Sequence, residues 1–97
     1  MRYTRPELGN HTLAYRGRRY WVVQIAPGER FEYVDDSMGD YAVYDCLYGN
    51  VFAIVKDDGK GGFLGSTISH VDLGETGFGS LEEAANHLSA EHDAYIK

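Results

Sequence analysis

Three histidines are the first residues to test for chemistry: His70, His87 and His92. His70-Val71-Asp72 sets an imidazole two residues from an acid, a pairing that orients a general base. No activated nucleophile accompanies it, and Ser66 and Ser80 lack the G-x-S-x-G elbow. His87 and His92 stand five apart, so on a helix their rings point to different sides. A helical zinc pair needs neighbours three or four apart. Glu83, His87 and Glu91 repeat every four residues, and this row reads as a solvated helix face rather than a metal ridge. "GKGGFLGST" has the glycines and lysine of a phosphate loop in the wrong order. Gly59-Lys60 is followed by Gly61 and strand-like residues, which makes it a hairpin turn. Cys46, the one cysteine, has no cations beside it in sequence and is assigned to packing. No catalytic, metal or cofactor set emerges, so the chain is expected to be no enzyme and to use no cofactor.

The charges form a clearer pattern. Glu32, Asp35, Asp36, Asp40 and Asp45 fall within fourteen residues, and Asp57 and Asp58 follow. Carboxylates two apart on a strand lie about 6.5–7 Å from each other on one face. That is close to the phosphate spacing of an extended nucleic-acid strand, so such a row suits a basic groove that normally holds DNA or RNA. The same acids also serve as ordinary solubilising loop charges. Against them stands "YRGRRYW", with Arg16, Arg18 and Arg19 beside Tyr15, Tyr20 and Trp21. Residues 1–31 carry six arginines and two acids, whereas residues 32–97 carry three lysines and thirteen acids, for a net charge of -6 overall. Such asymmetry points to a charged partner or to internal neutralisation. The eight tyrosines suit both strands and interfaces. Tyr33, Tyr41 and Tyr48 are the candidate aromatic contacts beside the acids.

The elements that must position these groups are mostly strands. Residues 11–16 predict a short strand, "RYWVVQIA" a confident one, and "PGE" a break. "RFEYVDD" alternates with period two and predicts a third strand. "YAVYDCL" and "VFAIVKD" predict two more, joined by "YGN". "DDGKGG" is the strongest turn signal, "FLGSTISHV" a weaker final strand, and "DLGETGFG" a loop. "SLEE" is a capping box that opens a helix at Ser80. Leu81, Ala84, Ala85, Leu88, His92, Tyr95 and Ile96 share its apolar stripe. The expected fold is α+β: an antiparallel sheet of five or six strands over residues 11–72. A C-terminal amphipathic helix over 80–96 packs on one face. Residues 1–10 are expected to be loosely held. Tyr20, Val22, Phe52 and Ile54 against Trp21, Val23, Val51 and Val55 make both sheet faces apolar, which predicts a curled sheet or a sticky second face.

At 97 residues the chain is a single domain with a modest core. No apolar run approaches the ~20 residues of a membrane span, and residues 1–15 have no signal-peptide core. With one cysteine, a reducing cytoplasm is the expected location. In size, acidity and tyrosine content the whole chain resembles small inhibitor proteins of phages and mobile elements. These include anti-CRISPR proteins and DNA mimics, and the acidic immunity proteins of nuclease toxins are of similar type. No motif carries the likeness. It implies a non-catalytic inhibitor that docks an acidic, tyrosine-rich surface on a basic nucleic-acid-binding groove of a bacterial defence nuclease complex. The basic N-terminal third departs from a pure DNA mimic. A second expectation is direct nucleic-acid binding through the Arg16–Arg19 hairpin, disfavoured by the acidic remainder. A third is an immunity or assembly protein whose second sheet face forms an oligomer interface, in the simplest case a homodimer.

Overall fold

A computed structural model of the chain describes residues 3–68 and 76–96. Six antiparallel strands form the main sheet: β1 (Thr12–Arg16), β2 (Tyr20–Gln24), β5 (Tyr41–Asp45), β6 (Asn50–Asp57), β7 (Phe63–Thr67) and β8 (Thr76–Phe78), in that spatial order. Between β2 and β5 the chain leaves the sheet and makes a small hairpin of β3 (Arg30–Phe31) and β4 (Val34–Asp35). Helix α1 (Leu81–Ile96) follows β8. The α+β expectation is met, with six strands and one C-terminal helix. Two elements differ from expectation. "RFEYVDD" is this two-stranded hairpin rather than one strand, because the chain turns at Glu32, whose φ is 56°. The predicted loop "DLGETGFG" ends in an edge strand, since Phe63 and Leu64 of β7 pair with Phe78 and Gly77. The strand predicted over 63–71 ends at Thr67, with Ile68 already out of the sheet, and its last residues, 69–71, with His70 and Asp72, lie outside the described residues.

Helix α1 covers one face. Ala84 and Ala85 are fully buried and Leu88 is nearly so, against Val22, Val43, Phe52 and Val55. Small residues on both sides set this close approach. A Cβ on Gly65 would lie 3.0 Å from Leu88 Cδ1 and 3.3 Å from Phe78 Cε2. The cap forms as the sequence predicts, with one shift. The Ser80 hydroxyl accepts the Glu83 amide at 3.1 Å, while the Glu83 carboxylate accepts the amide of Gly79 rather than that of Ser80. Tyr95 and Ile96 belong to the predicted stripe, and their side chains lie outside the described set.

The second face is neither open nor closed by curling. Phe31 and Val34 of the β3–β4 hairpin, with Met38 and Leu8, pack over Val23, Ile25, Ala42, Tyr44, Val51 and Ile54. This domain thus makes its own lid from residues 25–40 and the N-terminal segment. That segment is held rather than loose: the Thr4 amide donates to the Cys46 carbonyl, and Pro6 is buried. His11 joins it to the hairpin, with Nδ1 2.7 Å from the Leu8 carbonyl and Nε2 3.0 Å from that of Arg30. The expected grouping of apolar residues also changes. The β5–β6 register slips between Val43 and Tyr44, whose partners are Ala53 and Val51. Side chains beyond the slip exchange faces, so Val55 packs under the helix and Ile54 under the lid.

Candidate functional site

The strand register sorts the charges into two ends. Arg16 pairs with Trp21, Tyr20 with Asp45, and Asp45 with Asn50, so the arginine hairpin and the β5–β6 turn share one end. Gln24, Tyr41 and Val55 define the other end, about four strand residues or roughly 13 Å away. There the Ile25 amide donates to the Asp40 carbonyl, and the Asp40 amide donates to that of Val55.

Asp36, Asp40, Asp57 and Asp58 gather at this far end, each on a turn or strand end. Asp36 accepts the Gly28 amide at 3.0 Å, and Asp40 accepts the Asp57 amide at 2.9 Å. Asp57 accepts the Gly59 amide at 2.8 Å, and Asp58 accepts those of Lys60 and Gly62 at 2.7 and 2.9 Å. Backbone donors thus fix the carboxylates in place and leave their charge at the surface. Gly59 and Gly61 supply the positive φ values, 78° and 88°, that the "DDGKGG" turn requires. Asp35 closes the base of the β3–β4 hairpin opposite Arg30. Its carboxyl is held below the usual range, chiefly by the Ser37 hydroxyl and also by backbone amides and Arg30. Tyr41 stands beside this group, edge-on to Phe63. Its hydroxyl is pushed up by burial and then by Asp40 and Asp57. The phosphate-spaced row on one strand is not what brings the acids together. They converge from separate turns because strands of an antiparallel sheet end side by side.

Other candidates leave the group. Asp45 is buried, with 4% of its surface exposed, and so does not belong to an acidic docking surface. Its carboxylate accepts the amides of Leu47 and Tyr48 and lies 2.9 Å from His92 Nε2. His92 in turn stacks on Phe52 at 4.3 Å. Glu32 sits at the tip of the β3–β4 hairpin, where its carboxylate accepts the Val51 amide at 3.2 Å. Tyr33 beside it donates its hydroxyl to the Val51 carbonyl. Tyr48 is exposed at the arginine end, edge-on to His92.

The arginines divide as well. Arg19 makes a two-pronged contact with Asp93 of α1, at 3.1 and 3.3 Å, so its charge is answered internally. The Arg16 guanidinium lies over the Trp21 ring, 5.2 Å from its centroid. Gly17 makes room for this turn, since a Cβ there would meet the Tyr20 ring at 2.8 Å. Arg16 and Arg18 with Arg5, Tyr3, Trp21 and Cys46 line an open cleft of about 690 Å³. Arg5 and Tyr3 carry no motif, and only the packing of the N-terminal segment beside Cys46 brings them there. The Cys46 thiol is pushed up by burial and by Asp45, which keeps it in its unreactive protonated form. Among the described residues, no group of His, Cys, Asp and Glu is placed to hold a metal ion. His87 faces Glu91 at 3.7 Å on the exposed side of α1. Among the described residues, no helix is long and apolar enough to cross a membrane. Comparison of the chain with family models, curated proteins and solved structures finds no match.

Proposed function

We propose that this chain is a non-catalytic binding protein of the inhibitor type. It docks its acidic end, Asp36, Asp40, Asp57 and Asp58 with Tyr41, on a basic groove of a partner that otherwise holds nucleic acid. The observation that carries this is the convergence of four carboxylates from neighbouring turns, each tied to backbone amides. Carboxylates held by the main chain lose little side-chain entropy on docking and keep a fixed pattern of charge. The partner class, a bacterial defence nuclease complex, and a phage or mobile-element source follow from the resemblance in size and charge. Direct nucleic-acid binding by the whole Arg16–Arg19 hairpin is weakened as an alternative, because Arg19 is already paired. An assembly role through the second sheet face loses its main support, because the chain covers that face itself.

The test is capture from a bacterial lysate by the immobilised protein, with and without added DNA or RNA. The expected catch is a nucleic-acid-binding protein that added nucleic acid displaces. A catch that nucleic acid leaves in place would contradict occupation of the groove.

A further inference from the structure

The arginine end holds a second site that the acidic-end proposal does not use. Three guanidinium groups, Arg5, Arg16 and Arg18, border one cleft, and among the described residues no carboxylate lines it. All three residues are exposed. Two acids at this end are committed elsewhere: Asp45 to the β5–β6 turn and His92, and Asp93 to Arg19. Tyr3 and Trp21 add two aromatic rings to the same walls, and Arg16 is already seated on the indole. Fork-shaped donors match phosphate oxygens, while aromatic rings and guanidinium planes stack on flat heterocycles.

We propose that this cleft binds a nucleoside monophosphate, with the phosphate taken by Arg5 and Arg18 and the base placed against Tyr3 and the Arg16–Trp21 pair. Size favours a single small ligand. A cleft of about 690 Å³ lies within the range of small-molecule sites, roughly 300–1,000 Å³. Charge favours it as well. Two arginines, Arg5 and Arg18, answer the charge of one phosphate monoester, three give no extended track, and the rest of this acidic chain repels a long polyanion. Arg19, turned to Asp93, is not part of the site.

Trp21 is the single tryptophan and stands in the cleft wall, so its fluorescence reports occupancy directly. Titration with 5′-AMP is expected to change that fluorescence saturably. Inorganic phosphate should bind at least about tenfold more weakly, because it lacks the stacking ring. R5A and R18A should each weaken 5′-AMP by about tenfold, since each removes a charged hydrogen-bonding fork. Both side chains are exposed, and an unchanged circular dichroism spectrum would confirm that the variants fold. The proposal is overturned by no saturable response to 5′-AMP at millimolar concentration, by equal binding of inorganic phosphate, or by R5A and R18A variants that bind like the parent. Tighter binding of an eight-nucleotide single strand than of 5′-AMP would also overturn it, in favour of a strand-binding surface. Neutralising Asp36 and Asp40 should leave the titration unchanged, which separates this site from the acidic end.

Discussion

At the residue scale the largest single effect belongs to Asp45. In sequence it is one more acid in a run of five, and nothing in its spacing separates it from Asp36 or Asp40. Its position after three buried strand residues, Ala42, Val43 and Tyr44, puts it inside, where two amides and His92 satisfy it. Asp45→Ala leaves those amides and the imidazole without their acceptor and is expected to cost about 2–4 kcal/mol in denaturant unfolding. Asp45→Asn keeps the turn bonds and should cost less. Tyr20 gives the pH dependence. Its hydroxyl, which donates to Asn86, is pushed up to about 12, first by burial and then by Tyr15 and Glu82. The folded state therefore holds this proton more tightly than the unfolded chain, whose tyrosines titrate near pH ~10. The stabilisation is complete below about pH 10 and is lost as pH rises toward about 12. Unfolding curves across that window should show falling stability, with a shallower fall for Tyr20→Phe. An unchanged slope in that variant would assign the effect to Tyr15, Tyr33, Tyr41 and Tyr44, whose hydroxyls are raised as well.

At the element scale, Gly65 decides how closely α1 lies on the sheet. Gly65→Val brings branched carbon into Leu88 and Phe78 and is expected to destabilise by about 2–3 kcal/mol, read as a lowered urea midpoint. A variant as stable as the parent would mean that α1 lifts without cost. Local pattern made this element readable in advance: "SLEE" marks the cap, and the Leu81–Leu88 stripe marks the buried face. Strands β2, β5 and β6 were readable from their apolar runs for the same reason. Three features were not. The β5–β6 slip is a matter of pairing, and no single strand reveals it, so Ile54 and Val55 exchange the faces that simple alternation assigns them. The β3–β4 turn rests on Glu32 at positive φ, a conformation whose cost is offset by tertiary contacts at Val51. The role of residues 25–40 as a lid depends on where the chain goes between β2 and β5, which periodicity does not encode.

For the whole molecule, the account rests on separation of charge. An antiparallel sheet places the turns after β2, before β5 and after β6 at one end, and the β1–β2 and β5–β6 turns at the other. Asp36, Asp40, Asp57 and Asp58 thereby become one surface, and arginines from the N-terminal segment and the first hairpin become another. Composition made the imbalance legible, but not its geometry. Arg5 and Tyr3 had no signal of their own, while Asp45 and Arg19 joined the candidates only because a charge in sequence does not reveal its internal partner. The two ends make separable claims, and the acidic one is central. Its most direct test is the affinity of the captured basic partner for the parent protein and for the D36N/D40N/D57N/D58N variant, measured at low and high salt. Asparagine keeps the amide-accepting carbonyls, so the turns stay intact while the charge is removed. The account predicts at least about tenfold weaker binding by the variant at low salt, with a flatter dependence on salt. Equal affinity and equal salt dependence for the two proteins would contradict it.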